Sequence, residues 1–251
     1  MDAAELIALA VWSFAVSAAG GLVGLVLGNL RLPLVLLLAS SPAAGAGANV
    51  AISGVAAMTS AGTHLRAGRL DRRLLAWMAP SSLAGGVVGG LISGVLPDRV
   101  LLAVIAVVVL YGALEVARYR GAAEIGEPGG RELLLNAAAI GFCVGVLGGV
   151  VGLILGSLRL PAMVRWVRVS PYAAVGTNAA VGVAVAIGGV LGHLPTGIDW
   201  WVFAVGAAAS IPGAYAGSTL TGRLDEKALL RAIAAILLVA GLSMLVQAIA
   251  G

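Results

Sequence analysis

The stretch GGLVGLVLGNLRLP, running from Gly20 to Pro33, returns in the second half of the chain as GGVVGLILGSLRLP, from Gly148 to Pro161, with eleven of fourteen positions identical. Matches of Leu with Val mean little in an apolar chain, because few residue types are in use. The return of an arginine and a proline at the same register means more, and self-similarity at a fixed period marks a duplicated architecture.

Working outward, the register gains one residue and the match continues. Ser41-Pro42 pairs with Ser170-Pro171, Gly47 with Gly176, Asn49 with Asn178 and His64 with His193. The offset then returns to its first value, aligning Gly85 with Gly213, Gly89 with Gly217 and Gly94 with Gly222. The chain therefore divides into a first half, 1–117, and a second half, 133–251. Between them, 118–132 collects Gly121, Gly126, Pro128, Gly129 and Gly130 among charged residues, the composition of a solvated linker.

The solvent of both halves is lipid. Of 251 residues 61% are hydrophobic and 10% charged, with a mean hydropathy of +1.08, whereas soluble domains carry roughly 25% charged residues. Uncharged windows at 6–30, 32–65, 74–97, 100–114, 133–158, 169–198, 200–222 and 232–251 supply about 20 apolar residues each in most cases, the length of a membrane-spanning helix. The window at 100–114 is short and becomes a span only if its ends snorkel from Arg99 to Ala117. The expected fold is an all-α integral membrane protein of about eight transmembrane helices in two homologous halves, with Pro-broken helices at the centre. The opening Met-Asp-Ala-Ala-Glu lacks the basic region of a cleaved signal, so the N-terminus is read as retained.

The relation between the halves is ambiguous in the sequence. Four crossings per half would leave them parallel. Yet Arg66, Arg69, Arg72 and Arg73 crowd a first-half loop whose counterpart, His193 to Asp199, has no Lys or Arg, and second-half basic residues gather elsewhere. If basic loops face the cytoplasm, equivalent loops lie on opposite sides, which tips the balance toward an inverted repeat. Arginines in short loops also account for the pI near 9.8 without any nucleic-acid partner. The lone Cys143 excludes an intrachain disulfide.

Proline biases its predecessor out of helical geometry, so the helices are expected to stop or kink near Leu32 and Leu160. Freed backbone is tolerated at membrane depth only inside protein or beside a wet cavity, and two related breaks suggest a shared central cavity. Arg31 and Arg159 lie in these breaks with no Asp or Glu nearby in sequence; either they snorkel to headgroups or a visiting oxyanion completes them. Asn49 and Asn178, seven residues after each Ser-Pro, either face an anion from early in a helix or bind helix to helix. Asn29 and Ser157 flank the arginines as further polar candidates. His64 and His193 close the same helices, as structural residues or as proton-coupling groups. The acid-poor core disfavours cation transport, and no catalytic residue, metal site or cofactor is expected: the histidines are duplicated with the fold, so no asymmetric Ser/His pair of a hydrolase stands out.

With these residues in view, the chain resembles the TauE/SafE family of sulfite exporters and sulfonate-type permeases. The resemblance rests on the Gly-rich helices running into Pro33 and Pro161, on Ser170-Pro171 followed by Ala174-Val175-Gly176-Thr177-Asn178, and on the His-Leu…Asp stretches at 64–71 and 193–199. It covers nearly the whole chain, although Gly-Asn-Leu-Arg and Gly-Ser-Leu-Arg depart from the family's usual run of glycines and apolar residues. It implies a secondary exporter of sulfite, an organosulfonate or a similar anion in the cytoplasmic membrane, with Thr177 and Asn178 lining the cavity. The expected partners are the small anion and the bilayer, and association into a homodimer is compatible with the sequence. A passive anion channel, or a permease for another organic anion, is the alternative.

Overall fold

The structure, a computed structural model, describes residues 2–91, 98–118, 130–151, 154–195 and 197–250. All of the regular structure among them is helical. The ten helices are α1 (Ala3–Val23), α2 (Gly28–Leu38), α3 (Pro42–Arg66), α4 (Arg72–Leu91), α5 (Asp98–Arg118), α6 (Arg131–Val151), α7 (Gly156–Arg165), α8 (Pro171–His193), α9 (Trp200–Thr221) and α10 (Glu226–Ala250). Most of the linker read at 118–132 and the Gly94 of the repeat lie outside the described residues.

Among the described residues, four helices are long and apolar enough to cross a membrane by length and composition: α1, α6, α8 and α10. The outward faces suit lipid, with Ile7, Val107, Val246 and Ile249 each more than 60% exposed, since a water-facing surface rarely presents so much contiguous apolar area. The protein is a multi-pass membrane protein.

Caps set the helix starts. Ser41 accepts from the Ala44 amide and Ser170 from the Ala173 amide, each with a proline at the first helical position, where a missing N–H costs nothing. Asp2 and Glu5 form a reciprocal capping box on α1.

The two halves are interleaved. α1 packs along α9, α4 along α6, α5 along α10, and α3 against both α8 and α9. Close approaches give the directions. Gly213 meets Phe14 and Gly217 meets Ala18, so α1 and α9 run parallel; Gly141 meets Met78 and Gly145 meets Ser82, so α4 and α6 do as well. In contrast, Gly176 lies on His64, Gly182 on Ala57 and Gly189 on Val50. Helices α3 and α8, which carry the matching Asn and His of the sequence repeat, therefore cross the core antiparallel.

The break in the chain is not at the prolines. Both Pro33 and Pro161 lie inside short helices, which corrects the expectation of a stop near Leu32 and Leu160. The first half breaks earlier, at Gly24: this residue takes the left-handed conformation with φ 64°, and a Cβ there would strike the Val175 carbonyl. Residues 25–27 follow outside any helix. Pro33 is tolerated because the carbonyl it deprives, that of Asn29 four residues earlier, accepts instead from Gln247 Nε2 at 3.4 Å. Removing that donor by Gln247→Leu is expected to destabilise the protein by about 1 kcal/mol, the ordinary worth of one such bond, and a lower thermal midpoint of the purified protein checks it.

Candidate functional site

Arg31 and Arg159 are the two largest side chains that the protein buries almost completely, each 1% exposed. Each is the fourth residue of a short helix, α2 or α7, whose N-cap leucine offers no side-chain acceptor. The headgroup-snorkelling alternative is thereby excluded for both: these guanidinium groups lie inside the bundle.

Their partners are the asparagines. Arg31 Nε donates to Asn49 Oδ1 at 3.0 Å, and its Nη2 donates to the Asn49 carbonyl at 3.2 Å and to Ser53 Oγ at 2.7 Å. Asn49 Nδ2 in turn donates to the Gly28 carbonyl at 3.1 Å. In the second half Arg159 Nε donates to Asn178 Oδ1 at 2.7 Å, and Nη1 reaches Ser82 Oγ at 3.3 Å. Asn178 Nδ2 donates to the Gly156 carbonyl at 3.3 Å and, across the halves, to the Gly24 carbonyl at 2.8 Å. Each asparagine thus ties helix to helix, the second of the alternatives read from the sequence, and orients an arginine as it does so.

Every one of these partners is neutral. Neutral acceptors solvate a buried cation but leave its charge unbalanced, and a buried charge without a counter-ion costs several kcal/mol. Nη2 of Arg159 goes further, being buried with no hydrogen-bond partner.

Arg159 also lines a cavity of about 440 Å³, although its Nη2 lies behind the cavity wall, with almost no surface open to it. Its walls mix glycines with branched apolar side chains: Ser82, Gly86 and Val87 of α4, Gly145 and Gly148 of α6, Ile154 and Leu155 ahead of α7, and Val185, Gly188, Gly189 and Gly192 of α8, with His193 at the end of that helix. The equivalent space in the first half, lined by Ser17 and Gly21 of α1, Val26 and Leu27, Arg31, and Ser53 and Ser60 of α3, shrinks to about 10 Å³. Of the two related spaces, the second-half one is far the larger.

The remaining sequence candidates fall in different places. Asn29 borders another narrow gap of about 10 Å³ beside Asn49 and Ser53, and its Nδ2 is buried without a partner. Ser157 is buried next to Arg159 in α7. Thr177 does not line the cavity; its Oγ1 accepts from the Asp71 amide at 3.0 Å, fastening the start of α4 to α8. His64 is wholly buried, with Nδ1 3.1 Å from Arg69 Nη1 and Nε2 3.3 Å from the Gly21 carbonyl. Arginine can only donate, so Nδ1 accepts and Nε2 carries the proton, which makes this histidine a neutral brace between α1 and α3. His193 instead lines the cavity. Ser53 and Ser82, both in contact with guanidinium groups, escape a reading of the sequence; the available signal is Ser53's position four residues after Asn49, on the same helix face.

The fold and the site define a multi-pass membrane protein that buries two arginines in its bundle and has a cavity lined in part by one of them. Comparison with known proteins supplies the family. A profile described as "Sulfite exporter TauE/SafE" matches residues 9–244, and the chain belongs to the TauE/SafE family. It is also 35% identical over 89 residues to the "Probable membrane transporter protein YunE" of Bacillus subtilis (strain 168), a stretch covering 36% of this chain and 32% of that protein. The match thus spans about a third of the curated relative's length. No solved structure matches the chain.

Proposed function

We propose that the protein is a secondary transporter of the cytoplasmic membrane that exports a small anion, sulfite or an organosulfonate, by alternating access. The observation that carries this reading is Arg159, a buried guanidinium on the cavity lining that has only neutral partners and leaves its Nη2 unpartnered. A guanidinium with one unsatisfied donor suits an oxyanion by charge and by hydrogen-bond geometry once a small shift brings that nitrogen to the cavity wall. The first helical amides of α7, left without a side-chain cap, add favourable dipoles beside it. Family membership favours a sulfur oxyanion over other small anions, and the glycines of the cavity wall leave room for a compact organic tail.

The topology that fits this mechanism is inverted. Antiparallel α3 and α8 place the relating axis across the helices, and hence in the membrane plane if the helices stand upright. Helices α2 and α7 then act as broken crossings, completed by non-helical chain such as residues 25–27. The eleven residues of α2 rise only about 16 Å, less than a bilayer core, so the crossing needs that non-helical chain as well. Each half thus makes five passes, four of them long helices and the remaining one the short α2 or α7. The same arrangement gathers Arg66, Arg72, Arg131, Arg168 and Arg223 on one face and leaves Asp2, Glu5 and Asp199 on the other. The basic face is cytoplasmic by the positive-inside rule. The cavity, which His193 lines at the end of α8, then opens to the outside, while the related passage beside Arg31 is closed toward the cytoplasm. Exchange of the open and shut passages between halves is the transport step.

Two measurements test this. Proteoliposomes loaded with sulfite are expected to show saturable uptake of labelled sulfite that is accelerated by the internal anion; a linear, unaccelerated flux would indicate a pore instead. For topology, Arg72→Cys and Trp200→Cys in a Cys143→Ser background occupy equivalent repeat positions. An impermeant thiol reagent applied to intact cells is expected to label position 200 and spare 72, whereas labelling of both from the same side would overturn inversion.

A further inference from the structure

The two arginines are copies, but their surroundings are not. On α3, Ser53 follows Asn49 by four residues and its hydroxyl receives Arg31 Nη2 at 2.7 Å. On α8 the residue four after Asn178 is Gly182, which has no hydroxyl to offer, and Arg159 Nη2 is the nitrogen left without a partner. The difference recurs along the passage to each arginine. Gly188, Gly189 and Gly192 line the cavity, and in the register that pairs Asn49 with Asn178 their first-half counterparts are Thr59, Ser60 and Thr63. Of these, Ser60 lines the narrow first-half space, while the two threonines spend their hydroxyls on their own helix, bonding to the Val55 and Thr59 carbonyls at 2.9 and 3.0 Å.

We propose that the duplicated arginines have divided roles decided at the Ser53/Gly182 position: Gly182 leaves Arg159 Nη2 free as the anion-binding donor, and Ser53 converts Arg31 into a structural brace between α2 and α3. This inference rests on the anion-transporter reading above and names the half that holds its site. Inverted repeats do not require both halves to keep the ligand groups, because one site visited from alternate sides suffices. By the register that pairs residue 182 with Ser53, a hydroxyl placed there would take the position that Ser53 holds beside Arg31, pair with Nη2 and compete with the ligand for it. Space allows the change: a Cβ at Gly182 would lie 3.0 Å from Val26 Cγ2 and 3.7 Å from Ala57 Cβ, so only the end of one valine must yield by a few tenths of an ångström.

The test is sulfite binding by isothermal calorimetry on the purified full-length protein, with a small sulfonate, sulfate and chloride as comparison anions. Gly182→Ser is expected to weaken binding about tenfold, the loss of one charge-assisted hydrogen bond. Gly182→Ala carries the same Cβ without the hydroxyl and is expected to stay within about threefold of wild type on the same scale. Ser53→Gly is expected to lower the thermal midpoint while also keeping affinity within about threefold. Equal weakening by Gly182→Ala and Gly182→Ser would make the effect one of bulk and overturn the proposal, as would a Ser53→Gly loss matching that of Gly182→Ser. If the residue 182 variants fail to fold, the same pair is read in a Val26→Ala background, where the crowding is relieved. A wild-type protein that binds none of the four anions sinks the transporter reading itself, whereas wild-type binding with indifference to the residue 182 hydroxyl sinks only the division of roles.

Discussion

Arg159→Gln is expected to cut sulfite flux in proteoliposomes by about 100-fold or more, because removing one partner of a buried, hydrogen-bonded charge pair costs about 2–5 kcal/mol or more. Glutamine keeps a donor near Asn178 Oδ1, so the link between α7 and α8 is weakened rather than lost. What disappears is the positive charge on the cavity lining and the free Nη2. Arg159→Lys separates the two contributions. It keeps the charge but replaces a planar fork with a point donor, and flux is expected to be intermediate. Arg31→Gln serves as the contrast. Its guanidinium ties Asn49 and Ser53 together beside the narrow first-half space, so the loss appears as a lower thermal midpoint, with flux per folded molecule reduced far less than in Arg159→Gln. Undiminished flux in Arg159→Gln would remove this arginine from the mechanism altogether.

The duplication is legible because Arg, Pro, Asn and His keep their register while the apolar filler drifts. That makes both arginine–asparagine sets visible as candidates. Their pairing is not visible: Arg31 and Asn49 are 18 residues apart, and nothing local says that α2 folds back along α3 to join them. The position of the break is misread for a related reason. Proline carries a strong local bias, but Gln247, contributed by the distant helix α10, supplies the hydrogen bond that lets Pro33 remain helical. Gly24 is the better signal, since a left-handed residue pressed against another helix's backbone tolerates no side chain. Thr177 looks like a cavity residue by resemblance, yet its hydroxyl is consumed by the Asp71 amide. The Ser53/Gly182 difference stands in the aligned repeats from the start. It acquires meaning only because the residue four after Asn49 faces a guanidinium. The conflict between eight long helices and the distribution of arginines has the same origin. Helices as short as α2 and α7 escape a count of apolar windows, and the proposed reading of them as broken crossings gives each half the odd number of passes that inversion needs.

Gly217→Leu is expected to prevent assembly of the native bundle. In lipid the hydrophobic effect does not press helices together, so association depends on close van der Waals packing and interhelical hydrogen bonds, which small residues permit. The α1/α9 seam relies on this at three glycines. A Cβ at Gly213 would collide with the Phe14 carbonyl, one at Gly217 with the Ala18 carbonyl, and one at Gly21 with Ala214. The obstacles at Gly213 and Gly217 include backbone atoms, so no rotamer change relieves them and α1 must move away from α9. That displacement would separate Thr221 Oγ1 from the Leu22 carbonyl, now 2.7 Å apart, and Ser210 from the Ser13 carbonyl. Even Gly217→Ala is expected to cost about 1–3 kcal/mol, the usual range for overpacking, and leucine adds the full volume of its side chain at the tightest point. The related seam gives a matched comparison, because Gly85 abuts the Phe142 carbonyl and Gly145 the Ser82 carbonyl. But α4 and α6 both border the cavity, whereas of the α1/α9 pair only α1 lines the narrow first-half space. Alanine at Gly145 is therefore expected to disturb flux as well as stability, whereas alanine at Gly217 acts first on stability. Size-exclusion profiles and thermal midpoints of the two variants, read beside flux per folded molecule, check the difference; a monodisperse Gly217→Leu protein with a wild-type midpoint would show that the α1/α9 seam is not the close contact described.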